Sequence, residues 1–187
     1  MEGYYWRDYD TNDIPNDAIL GGTDGNGNTY VGQTADPYVG ILPGEIDEID
    51  KRMYYEFGYV IYSTTVDVKI LCSQQPEKLQ WIPTKANTKI SSFKDKKLIL
   101  GGHAFNSTQL IGRITLENGA VAVGRILVLE ESLTAIFVRK QGKTVLDLED
   151  NNIGLLTLAL DVRRHYPPRI KRPPTHEEPK DASTYPS

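Results

Sequence analysis

Apolar residues along this chain fall in short runs separated by glycine, proline, asparagine and aspartate, and no run keeps a helical period. Val66-Asp67-Val68-Lys69-Ile70-Leu71 alternates apolar with polar, as a strand with one buried face does. Residues 28–34 predict another strand, with Tyr30 and Gly32 on one face and Val31 on the other. Residues 53–63 are rich in Tyr and Phe and broken by Gly58, which predicts two strands about a turn or bulge. Residues 1–6 predict a short opening edge strand. Residues 79–83, 109–115, 121–129, 133–138 and 155–160 supply the remaining strands, with Asn118-Gly119 a hairpin signal. Pro43-Gly44 predicts a turn, after which Ile46 and Ile49 leave room for one helical turn over residues 45–50. Residues 84–97 are polar and lysine-rich and predict a longer loop. Many short strands and no sustained helix predict an all-β fold.

One stretch occurs twice. Gly21-Gly22-Thr23-Asp24-Gly25-Asn26-Gly27-Asn28-Thr29-Tyr30-Val31-Gly32 returns in fainter form as Gly101-Gly102-His103-Ala104-Phe105-Asn106-Ser107-Thr108-Gln109-Leu110-Ile111-Gly112. Asp24-Gly25 and Asn26-Gly27 are hairpin-turn dipeptides, since the turns that match strand twist need positive φ. Apolar triplets, Ala18-Ile19-Leu20 and Leu98-Ile99-Leu100, precede the two Gly-Gly pairs, and Trp81 echoes Trp6. Two copies at this long spacing exclude a solenoid. The expectation is two pseudo-symmetric repeats, about residues 4–73 and 79–160, sharing one compact antiparallel-sheet domain.

Composition adds little to the fold and more to the exclusions. The 187 residues are 39% hydrophobic and 25% charged, which suits a globular chain with a polar extension. Residues 161–187 hold Pro167-Pro168, Pro173-Pro174 and the five basic residues Arg163, Arg164, Arg169, Lys171 and Arg172, and predict a disordered or extended tail. No apolar run approaches the roughly 20 residues of a membrane span, and no signal-peptide pattern opens the chain. With Cys72 the single cysteine, an intracellular, cytoplasmic site is expected. Charge is uneven: residues 1–71 carry 13 acids against 4 bases, residues 72–187 carry 12 against 17. Such asymmetry marks either an acidic binding face or two halves that attract each other.

Candidate chemistry is sparse. Cys72 ends an apolar strand and reads as a buried thiol. His103, His165 and His176 form no triad with it, and no Gly-x-Ser-x-Gly elbow occurs. Catalytic residues are therefore not assigned, and the chain reads as non-enzymatic with no cofactor. The glycine-rich stretch lacks the Lys-Ser/Thr ending of a phosphate loop. Asp24, Asn26 and Asn28 alternate like the start of a calcium loop, but Thr29 and Ala35 stand where such a loop needs Gly and Glu. An EF-hand is excluded, and the stretch reads as a hairpin turn with no metal assigned. Lys85, Lys89, Lys94, Lys96 and Lys97 surround only Phe93, too little for a nucleic-acid surface on an acidic protein. The tail's basic residues would give at most a weak, reversible contact with an anionic membrane, without stable insertion. Sugar hydroxyls are the better match: Asp24, Asn26 and Asn28 offer paired donors and acceptors, with Tyr30 and Tyr38 as an aromatic face.

These residues resemble a known family. Trp6, Ile14-Pro15-Asn16-Asp17-Ala18-Ile19, Gly21-Gly22-Thr23-Asp24, Gly27, Tyr30-Val31-Gly32 and Pro43-Gly44 are similar to the DM-nine repeat in its usual order. Trp81-Ile82-Pro83, Gly101-Gly102, Leu110-Ile111-Gly112-Arg113, Gly124-Arg125 and Gly142-Lys143 form a looser second copy. The resemblance implies a tandem all-β unit, often dimeric, with mannose-binding lectins among its members and insect relatives that respond to infection and associate with vesicles. It implies a lectin-like role in innate immunity, with a mannose-type glycan or a protein as partner, and a homodimer. In the lectins an Asp after Gly-Gly and a Lys after Pro-Gly contact the sugar. Here the Asp is Asp24, while Glu45 reverses the charge at the Lys position. In the second copy Ala104 replaces the Asp and Arg125 keeps the base.

The ligand-binding candidates are thus Asp24, Glu45, Asn26 and Arg125. With Glu45 beside Asp24, like charges are expected to repel, so mannose affinity is expected to be weak or lost. The competing expectation is a structural or interaction module that self-associates through its acidic and basic halves.

Overall fold

The computed structural model describes residues 3–140, 143–147 and 153–159. Its first half holds β1 (Tyr5–Asp8), β2 (Leu20–Thr23), β3 (Asn28–Asp36) and β4 (Gly40–Asp47). These are followed by β5 (Met53–Phe57), β6 (Val60–Thr64) and β7 (Val68–Cys72). The second half holds β8 (Leu79–Thr84), β9 (Lys96–Leu98), β10 (Leu100–Ala104) and β11 (Ser107–Thr115). It continues through β12 (Val121–Leu129), β13 (Ser132–Lys140), β14 (Lys143–Asp147) and β15 (Ile153–Ala159). All named pairings are antiparallel, and they join the strands into one large sheet. Among the described residues, helix is limited to the 3-10 turns Pro76–Lys78 and Ile90–Phe93, and no helix is long and apolar enough to cross a membrane. The all-β expectation holds.

Each Gly-Gly strand is woven into the other half. β2 pairs with its own neighbour β3 and, through Thr23 and Val121, with β12. β10 pairs with its own neighbour β11 and, through His103 and Ile41, with β4. A register irregularity lies between Leu20 and Gly22, and another between Leu100 and Gly102. Glycine is required where the strands cross. A Cβ on Gly22 would run into the Val121 carbonyl, and one on Gly102 into the Ile41 carbonyl.

Packing follows the same weave. A central cluster takes Ile19, Val31 and Leu71 from the first half and Ile99, Ile111, Val123 and Leu156 from the second. On either side lies a cluster drawn from one half only, one around Ile46, Met53 and Ile70, the other around Leu110, Ile126, Ile136 and Leu155. Burying a Leu or Ile side chain stabilises by about 1.5–3 kcal/mol, so the shared cluster ties the halves strongly. Tyr30 packs on the first-half cluster and Val31 in the central one, so both faces of β3 are covered.

Three local expectations are corrected. Pro43-Gly44 is no turn: it lies within β4, opposite Gln33 and Gly32. A Cβ on Gly44 would strike the Tyr54 carbonyl, so the glycine admits β5 rather than bending the chain. Residues 45–47 are strand, not a helical turn, because Glu45 and Asp47 find a buried partner in the second half. Residues 84–97 are not a plain loop: they contain the end of β8, a 3-10 turn and the start of β9. The opening strand expected over residues 1–6 is described from Tyr5, residues 1 and 2 lying outside the described residues, and it pairs with β7. The Gly142 turn, much of the turn over residues 147–152 and the tail over 161–187 lie outside the described residues.

Candidate functional site

A cavity of about 140 Å³ opens where the β2–β3 and β11–β12 hairpin tips meet β4 and β13. Thr23, Asp24, Asn26, Glu45, Asn118 and Arg139 supply its polar wall, and Leu116, Val121 and Ala122 supply much of its apolar one. The β2–β3 tip is rigidly built. Asp24 Oδ1 accepts the amides of Asn26 at 2.8 Å and Gly27 at 3.0 Å, while Thr23 Oγ1 donates to the Gly27 carbonyl at 2.8 Å. Gly25 takes φ +94°, which the sequence signal for a hairpin turn anticipated. The facing tip is held by Asn118 Oδ1, which accepts the Ala120 amide. Asp24 Oδ1 is thereby committed to the turn, and Oδ2 lies 4.0 Å from Arg139 Nη2.

Arg139 organises this wall. Its Nε donates to Glu45 Oε1 at 2.7 Å and its Nη2 to Asp47 Oδ2 at 3.1 Å. The guanidinium lies 3.7 Å from the centre of the Tyr54 ring, a cation–π contact. Glu45 is almost fully buried, and its second oxygen accepts the Val123 amide at 3.2 Å. Asp47 Oδ1 accepts the Ile49 and Asp50 amides at 2.8 and 3.4 Å. Burial pushes the Glu45 carboxyl above its usual range, with Arg139 and the Val123 amide pulling the other way. Burial alone would lower the Arg139 guanidinium; Glu45 and Asp47 outweigh it and hold it higher.

The four predicted ligand residues separate into two places. Asp24, Asn26 and Glu45 line this cavity together. Glu45, however, has both oxygens engaged inside the protein, so it braces the wall. Its expected repulsion of Asp24 is corrected: Arg139 stands beside both carboxylates and supplies the positive charge that position 45 lacks. Arg125 lies elsewhere. Its Nε and Nη2 reach Glu56 Oε2 at 2.8 and 2.7 Å, its Nη1 reaches Gln109 Oε1 at 3.4 Å, and it stacks on Phe137. That pair is buried and presents no open guanidinium.

The aromatic face expected beside Asp24 is also split. Asn28 and Tyr30 turn toward a separate open cleft with Asp13, Glu48 and Lys51. Tyr38 sits beyond the far end of nine-residue β3, which at about 3.3 Å per residue carries it well away from Asp24. Cys72 is fully buried, and burial followed by nearby Asp17 pushes its thiol up to about 12. Among the described residues, no group of three or more His, Cys, Asp or Glu could hold a metal.

Sequence reasoning missed Arg139 and Asp47. The available signal was strand alternation: from Phe137, the second residue along β13 points to the same face, and that residue is Arg139. A scan against protein-family models finds no match, and a search of curated proteins finds no significant relative.

Proposed function

We propose that this protein is a non-enzymatic, lectin-like binding module that takes a hydroxyl-rich ligand, a carbohydrate, in the Asp24–Arg139 cleft. One observation carries the reading. A carboxylate and a guanidinium face each other across 4.0 Å at a cavity rim that also holds Asn26, Asn118 and Thr23. A carboxylate accepts from two neighbouring hydroxyls, a guanidinium donates to others, and amides do both, which is the complement of a sugar edge. The apolar residues beneath suit the C–H face of a ring. The resemblance to DM-nine repeats supports the same reading, and on it the chain is a tandem of two related units. The base comes from position 139 rather than 45, and it already bonds Glu45 and Asp47. Specificity should therefore differ from that of a free Lys–Asp pair. A glycan array run with and without calcium tests this: calcium-independent binding to defined glycans supports it, and an empty array with the folded protein refutes it.

The alternative, self-association of acidic and basic halves, loses part of its basis. Asp24, Asp47, Glu45 and Glu56 of the first half already meet Arg139 and Arg125 of the second within one chain.

A further inference from the structure

Among the ion pairs that join the halves, Glu45–Arg139 and Glu56–Arg125 have their chemical parts exchanged between corresponding positions. Glu45 follows Gly44, the register partner of Gly32; Arg125 follows Gly124, the register partner of Gly112. Across the next ladder Glu45 faces Tyr54, and Arg125 faces Phe137. Two residues beyond Tyr54 stands Glu56, and two beyond Phe137 stands Arg139. Each arginine lies over the ring of this framework, Arg139 at 3.7 Å from Tyr54 and Arg125 at 4.1 Å from Phe137. Position 45 thus answers to 125, and 56 to 139. The acid belongs to the first half and the base to the second in both places. The strands that carry them are exchanged: β4 with β13 in one, β5 with β12 in the other.

A pairing of two first halves in this geometry would set Glu45 against Glu56. Two second halves would set Arg125 against Arg139. The Glu45 and Glu56 side chains are 3% and 1% exposed, so solvent would do little to screen the repulsion. Rejection by buried like charge is a strong form of specificity. We infer that Glu45, Glu56, Arg125 and Arg139 form a pairing code: the inner face of the first half is a recognition surface for the basic second half and refuses a copy of itself. The inference rests on the register and the ion pairs and is independent of any ligand. It also gives the uneven charge of the two halves a purpose at their contact.

Full-length variants test it. Glu56→Arg and Arg125→Glu each place two like charges in the buried pair. The double variant E56R/R125E puts base and acid where 139 and 45 already hold them, so the fold has a template for it. The urea midpoint should fall in each single variant and recover more than half of the larger loss in the double. A second comparison uses E45R/E56R and R125E/R139E chains. Refolded together, they should give a one-to-one dimer of exchanged halves by native mass spectrometry, which neither forms alone. The inference is overturned if the double variant is no more stable than the weaker single one. It is also overturned if E45R/E56R chains associate with themselves as readily as with R125E/R139E chains.

Discussion

Arg139 and Glu45, on strands from opposite halves of the chain, meet at 2.7 Å behind the candidate ligand cleft. Glu45 is sealed, at 3% exposed, and Arg139 reaches solvent only along its cleft edge, at 15%. Removing one partner leaves a buried charge uncompensated, which costs about 3–5 kcal/mol. Arg139→Met should therefore lower stability by about that amount in urea melts. Glu45→Gln combined with Arg139→Met should recover part of it, since no buried carboxylate remains at 45.

Glu45 also makes an unusual pH signature. Its carboxyl is held above the ordinary carboxylate range in the folded state, chiefly by burial. Between the unfolded value, about 4.3, and the higher folded one, the native state binds more protons than the unfolded state. Its contribution to stability is thus greatest at low pH and falls as pH rises through that window. Comparing urea midpoints of the parent and Glu45→Gln from pH 4 to 7 should show that downward contribution only in the parent.

Gly22 and Gly102 are placed where two strands cross, and each would drive a Cβ into a backbone carbonyl of the other half. Backbone cannot yield as a side-chain end can. Gly22→Ala and Gly102→Ala should each cost about 3 kcal/mol or more. Gly25→Ala, at φ +94° with open space around it, should cost only about 1 kcal/mol. Thermal melts of the three variants give the ranking directly.

Cys72 should behave as a sealed thiol. Fully buried and shifted up to about 12, it holds almost no thiolate at pH 8. Iodoacetamide labelling followed by mass spectrometry should be slow in buffer and rapid in denaturant. Fast labelling of the native protein would contradict the packing around β7.

Many of the strand positions were readable from the chain because they rest on alternation and on turn dipeptides, both local. Asp24-Gly25-Asn26-Gly27 and Asn118-Gly119 announced their hairpins, and Met53 to Ser63 announced two strands about Gly58. Pro43-Gly44 misled for a physical reason: its glycine serves close approach of β5, which only the tertiary arrangement demands. The acidic run from Glu45 reads as a helical turn on local grounds; its first residues are strand, with Glu45 and Asp47 paired to Arg139, a partner far along the sequence. The site was half legible for the same cause. Asp24 and Asn26 sit on one turn and could be read together, whereas the cation beside them comes from β13. Arg125 kept the charge of the resembled motif but spends it on Glu56.

The central claim is that the Asp24–Arg139 cleft binds a carbohydrate. Isothermal titration of the best array glycan against the parent and Asp24→Ala tests it most directly. Asp24 lines the cleft, and its Oδ2 lies 4.0 Å from Arg139 Nη2, so the account predicts saturable binding that weakens at least tenfold in Asp24→Ala, with the variant folded by circular dichroism. Equal affinity in the two proteins, or no heat from any glycan with the folded parent, would contradict it.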